Sequence, residues 1–168
     1  IVVGLGGVGS WVAESLARTE VGHITLIDLD NVAESNTNRQ IQALDGNYGK
    51  PKVQALAERI SLINPACKVE CIEDFIEPDN VEEILPKDGI VIDCIDNVRA
   101  KAAMINTALK RGQTIITCGA AGGRKDPLRI KIDDLALTKG DPLLSRVRAR
   151  LRKEYGFPKK SVSGKVTK

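Results

Sequence analysis

Short apolar runs alternate along this chain with longer stretches whose apolar positions recur at helical spacing. The runs predict strands near residues 1–5, 23–28, 68–73, 89–94, 113–118 and 128–132. The longer pattern predicts helices near 8–19, 51–63, 79–85, 98–111 and 141–155. Pro51 suits a first helical turn, Asn64-Pro65 closes that helix, and Asn97 is a good N-cap for the stretch that follows it. Strand–helix alternation implies an α/β, doubly wound, mostly parallel sheet with helices on both faces, the Rossmann-like arrangement. Ile90-Val91-Ile92-Asp93-Cys94-Ile95 is nearly continuously apolar, as a strand buried on both faces is.

Within that pattern Gly4-Leu5-Gly6-Gly7-Val8-Gly9 falls between the first strand and the first helix. Gly4 allows the tight turn, Gly6 lets a phosphate approach the backbone, and Gly9 lets the helix pack against the strand. The second strand ends in Asp28-Leu29-Asp30, where a carboxylate can grip a ribose hydroxyl. Strand, glycines, helix, strand and acid together point to an adenine nucleotide. They do not say whether it is oxidised or hydrolysed.

The loop after the second strand separates those chemistries. It reads Ser35-Asn36-Thr37-Asn38-Arg39-Gln40 and leads to Gly49-Lys50-Pro51-Lys52. A dehydrogenase has little use for such a loop, whereas Arg39 can fork onto phosphate oxygens and Lys52 can supply a point charge near an α-phosphate. Asp96, after the fourth strand, can hold a magnesium ion directly or through water. Ligands of open α/β sheets bind beyond the carboxyl ends of the strands, so these separate segments converge there.

Composition sets the remaining bounds. A hydrophobic content of 42% with 28% charged residues is that of an ordinary soluble globular domain, and 168 residues suffice for a sizeable core. No apolar run is long enough to span a membrane. Cys67, Cys71, Cys94 and Cys118 form no Cys-x-x-Cys pair, which disfavours zinc and suits a reducing cytoplasm. Cys94 and Cys118, at the ends of apolar runs, read as small buried thiols. From Lys139 onward there are 10 basic residues against Asp141 and Glu154, whereas the preceding part is net acidic. A basic extension on an acidic domain favours a polyanionic partner. The expected organisation is an adenylation domain over 1–157 and a basic tail over 158–168, with the natural chain continuing at both ends.

Gly4-x-Gly6-x-x-Gly9, Asp28-x-Asp30, Ser35-Asn36-x-Asn38-Arg39-Gln40, Lys52 and Asp96-Asn97 resemble the ATP site of the ThiF/MoeB/ubiquitin-activating-enzyme superfamily, whose members adenylate a carboxylate. The resemblance implies contacts to ATP from Gly4, Gly6, Gly7, Gly9, Asp28, Asp30, Ser35, Asn36, Asn38, Arg39, Lys52 and Asn97. It implies Mg2+ at Asp96 and catalytic roles for Arg39, Lys52 and Asp96. Gly7-Val8-Gly9-Ser10-Trp11, Asn36-Thr37-Asn38-Arg39-Gln40, Ile63-Asn64-Pro65, Asp74-Phe75, Ala120-Ala121-Gly122-Gly123 and Asp141-Pro142-Leu143 resemble the tRNA threonylcarbamoyladenosine dehydratase branch. That branch uses ATP to activate a carboxylate on tRNA and close it into a ring. The resemblance therefore implies a tRNA substrate, a homodimer, a sulfur-transfer protein as a further partner, and a cytoplasmic location.

The zinc-binding cysteine pairs of many sulfur-carrier activators are absent, and so is a cysteine just after Gly123. Both departures favour an RNA or small-molecule carboxylate over a ubiquitin-like protein. Two alternatives remain at this stage: an activator of a ubiquitin-like sulfur carrier, and an NAD-binding oxidoreductase or nucleotide-sensing module. Among single residues, Trp11 is expected to pack, His23 to lie at a strand edge, and Lys101 to be solvated. Gly119 and Gly122-Gly123 are expected to make room for the substrate.

Overall fold

Five strands and five helices follow one another in the computed structural model, which describes residues 1–158. The strands are β1 (Val2–Val3), β2 (His23–Ile27), β3 (Lys68–Ile72), β4 (Val91–Asp93) and β5 (Ile115–Thr117). The helices are α1 (Gly9–Arg18), α2 (Lys52–Ile63), α3 (Val81–Ile84), α4 (Val98–Lys110) and α5 (Pro142–Tyr155). All pairings are parallel, in the order β3-β2-β1-β4-β5. From β1 the chain therefore winds outward through β2 to β3, then returns to lay β4 and β5 on the other side.

Alternate strand residues face opposite sides of the sheet, and the two core layers obey that rule. Val2 and Leu26 pack with Ala13 and Ala17 of α1 and with Val53, Leu56 and Ile60 of α2. Their neighbours Val3 and Ile27 pack instead with Val81, Ala100, Ala103 and Met104 from α3 and α4. On the outside of α4, Ala102 and Ile105 bury Leu143, Val147 and Leu151 of α5. Asn97 caps α4, its side chain accepting from the N–H groups of Arg99 and Ala100. Pro51 sits one position earlier than expected, at the N-cap of α2, and Asn64 ends that helix.

The predicted strand at 128–132 is not formed. Asp126 accepts from Leu128 N–H and starts a 3-10 turn over Pro127–Arg129. Leu128, Ile130 and Ile132 are 93%, 80% and 100% exposed. Their alternation is of the strand type, but among the described residues no sheet face lies beneath it, so nothing pays the ordering cost of extending the chain. The expected basic tail lies, from residue 159 on, outside the described residues.

One buried carboxylate ties α1 to α2. Glu14 lies 2.6 Å from Arg18 and 2.6 Å from Arg59, with its side chain only 6% exposed. Burial pushes this carboxyl up, but hydrogen bonds and charge from Arg59 and Arg18 outweigh burial and hold it below its ordinary 4.5. The unfolded chain then takes up the proton first as pH falls. The stabilisation is thus complete above the unfolded value and disappears as pH drops through the folded one. Glu14→Gln is expected to lower stability near pH 7 by about 1–3 kcal/mol. Urea unfolding of wild type and variant should converge as the pH is taken down below the ordinary carboxylate range.

Candidate functional site

The strand order reverses between β1 and β4, and the crevice at such a reversal is where α/β sheets bind ligands. The glycine turn leaves β1 at that point. Gly4 has φ +84, and a β-carbon there would stand 2.7 Å from the Ile95 side chain. At Gly9 a β-carbon would strike the carbonyl oxygen of Gly4, so only glycine lets α1 begin there. At Gly6, by contrast, a β-carbon would meet nothing within 4 Å. The α1 N-terminus has no side-chain cap and no acidic residue in its first turn. Its unpaired N–H groups and positive dipole end therefore remain available to an external anion.

Leu5, inside the turn, is held by both of its backbone groups. Its N–H donates to Asp28 Oδ2 at 2.6 Å, and its carbonyl accepts from Gln42 Nε2 at 2.9 Å. Asp28 Oδ1 also accepts from Asp30 N–H at 2.8 Å. Two of the roughly four acceptor positions of the Asp28 carboxylate are thereby used, which leaves capacity for a hydroxyl. Gln42 was not singled out in the sequence, where it lies between Ile41 and Ala43 without a motif of its own. An amide set between two apolar residues is its only signal, and the structure buries it fully.

The loop after β2 folds over the turn. The Arg39 stem lies against Gly7, its Cγ 3.1 Å from where a Gly7 β-carbon would be. Its guanidinium is oriented by the Ser35 carbonyl at 3.1 Å and Asn38 Oδ1 at 2.9 Å. Asn36, buried, accepts from Ala33 N–H and so shapes the loop. Trp11, expected to pack, is instead 52% exposed and donates its indole N–H to the Arg39 carbonyl at 3.0 Å. Lys52 is buried and pairs with Asp30 at 2.6 Å. Asp96 is exposed beyond the end of β4, and the Asn97 side chain is spent on capping α4.

Beneath this layer lies an ion pair that sequence reading missed. Lys101, expected in solvent, is 0% exposed, with Nζ 2.8 Å from Asp93 Oδ1 and 3.1 Å from Thr117 Oγ1. Thr117 in turn donates to Asp93 Oδ2. Burial pushes the Asp93 carboxyl up, against the opposing pull of Lys101 and Thr117. The signal was two opposite charges, each set in an otherwise apolar segment: Asp93 in its strand and Lys101 among Ala100, Ala102 and Ala103. Next in line, Cys94 and Cys118 place their sulfurs 3.9 Å apart. Their hydrogen bond and burial push Cys94 well up, while Cys118 is lowered to about 7 chiefly by that same bond. Gly119 makes room for Asp141, whose Oδ2 accepts from Ala120 N–H at 3.0 Å while Oδ1 caps α5.

This arrangement can hold a polyanion at the α1 end, with Arg39 and Lys52 as cations and Asp28 as an acceptor. Among the described residues no group of three or more metal-ligating His, Cys, Asp or Glu side chains occurs. A lone exposed carboxylate such as Asp96 fits a cation that takes most of its ligands from phosphate and water.

The ThiF family profile matches residues 1–146. The chain belongs to the ThiF family. ThiF-family relatives include the tRNA threonylcarbamoyladenosine dehydratase of Haemophilus influenzae, 48% identical over 96% of this chain and 64% of its own length. The Escherichia coli enzyme of the same name is 50% identical over 95% of this chain and 60% of its own length. A solved structure of the E. coli tRNA N6-threonylcarbamoyladenosine dehydratase in complex with ATP superposes with a TM-score of 0.91 at 48% identity, covering 99% of this chain and 68% of that one. The chain thus spans roughly three fifths of the length of these curated relatives. No helix among the described residues is long and apolar enough to cross a membrane.

The buried pair gives this ThiF-family domain a measurable fragility. Lys101→Met is expected to destabilise it by about 3–5 kcal/mol, because Asp93 is left buried without its counter-charge. Adding Asp93→Asn should recover much of that loss. Denaturant unfolding of the single and double variants checks both expectations.

Proposed function

We propose that this chain is the ATP-binding, adenylating part of a tRNA threonylcarbamoyladenosine dehydratase. The observation that carries the reading is near-half identity over almost the whole chain to enzymes of that name, one of them solved with ATP. The geometry supports it independently. The uncapped α1 end and open Gly6 face would receive the phosphate chain, and Arg39 and Lys52 would bind its oxygens. Asp28 would accept from a ribose hydroxyl, and Ser35, Asn36, Asn38 and Asn97 would keep the surrounding loops in register. Asp96 would hold magnesium, which neutralises phosphate charge when bound.

In this reading the threonylcarbamoyl carboxylate attacks the α-phosphorus of ATP and pyrophosphate leaves. Ring closure then expels AMP, a far better leaving group than the hydroxide that a free carboxylate would have to lose. The protein's contribution is positioning and charge: a preformed turn, two cations and a carboxylate on one sheet edge. Exposed Arg146 and Lys153 on α5 suit contacts to tRNA phosphates, while Arg148 is engaged by Thr138 and Arg150 by Glu154. A homodimer, a sulfur-transfer protein partner and a cytoplasmic location belong to the same proposal.

Incubating the full-length protein with ATP and total tRNA tests the substrate. Mass spectrometry of the digested tRNA should show loss of water from threonylcarbamoyladenosine, and an unchanged nucleoside would reject the reading. Asp96→Asn is expected to abolish pyrophosphate release and leave the melting temperature near that of wild type. Release at the wild-type rate would remove Asp96 from the chemistry.

A further inference from the structure

The thiols of Cys94 and Cys118 have no part in the chemistry above, yet they are placed together. Asp93 and Thr117 are register partners on β4 and β5, so the next residue on each chain is a cysteine. Cys118 N–H donates to the Asp93 carbonyl at 2.9 Å and fixes the two backbones beside each other. Neighbouring strands run about 4.8 Å apart, inside the usual Cα separation of about 4.4–6.8 Å for a disulfide. The sulfurs, 3.9 Å apart, need close by only about 2 Å to bond. Both cysteines are only half-buried. Cys67 and Cys71, by contrast, each bond a backbone carbonyl near β3.

We propose that Cys94 and Cys118 are a reversible disulfide site, an internal latch across the carboxyl edge of β4 and β5. A low-molecular-weight disulfide is the oxidant. One thiol, losing its proton, displaces a small thiolate and forms a mixed disulfide. The second thiol, losing its proton, attacks the protein sulfur of that bond and expels the other small thiolate. The two protein sulfurs are oxidised by two electrons and the small disulfide is reduced to two thiols.

The latch acts on the neighbouring site. Cys94 Cβ stands 3.2 Å from where a Gly9 β-carbon would be, and Ile95 packs against Gly4. Cys118 leads into Gly119-Ala120, held by Asp141. Drawing the sulfurs together displaces the peptides that carry the turn's packing partners and Asp96. This consequence, unlike the disulfide itself, rests on the proposed ATP reading. A misplacement of about 1 Å can cost as much as ~100-fold in rate, so oxidation is expected to slow pyrophosphate release at least ~tenfold.

The test treats reduced full-length protein with oxidised glutathione. The intact mass should fall by that of two hydrogens, with a peptide linking Cys94 to Cys118, and dithiothreitol should restore both mass and rate. Cys94→Ala and Cys118→Ala should show neither the cross-link nor the rate loss. No cross-link, or glutathione retained on both cysteines, overturns the site. A cross-linked protein with an unchanged rate overturns the latch. A reduced protein that releases no pyrophosphate overturns the ATP reading alone, because the mass and peptide data stand without it.

Discussion

Everything at the carboxyl edge depends on how closely α1 can approach the end of β1. Gly9 stands so near the Gly4 carbonyl that no side chain fits between them. That contact fixes where the helix starts, and with it the direction in which the uncapped first turn points. Leu5, between the two glycines, is then gripped from β2 by Asp28 and from the following loop by Gln42. The turn is therefore tied to two separate stretches of chain before any ligand arrives.

Much of this was legible in the sequence because it is local. Glycine spacing after an apolar run, Asn97 before a helix and the Asn36–Arg39 segment each carry their meaning within a few residues. All five helices and five of six strands form close to where periodicity puts them. The failure at 128–132 has a tertiary cause: apolar alternation specifies a strand only where a neighbouring strand and a core face exist. Lys101 and Gln42 escaped for a related reason. Each is justified by a partner far along the chain, and a single charged or amide side chain in a sequence says nothing about whether its partner waits inside.

Charge in this domain is arranged in two tiers. The lower tier, Asp93 and Lys101 sealed from solvent and Thr117 half-buried, cross-ties β4, β5 and α4. In the upper tier Arg39, Asp30 and Asp96 are exposed at the crevice, whereas Lys52 and Asp28 are buried. The buried pair anchors the end of β4, from which the chain runs on to Asp96.

In the proposed ATP reading, the contact between Lys52 and Asp30 would make anion capture at Lys52 an exchange of counterions and not a simple addition. An incoming oxygen would compete with a carboxylate already 2.6 Å from the ammonium, and that carboxylate, half-exposed, could turn back to water. The net gain from Lys52 alone is then a small difference between two similar attractions. Stray monovalent anions find little to hold them. In the proposed ATP reading, a chain of linked phosphates reaching Arg39 and the α1 backbone at the same time would recover what a single charge cannot, and the pairing would work as a valence filter at the entrance to the site.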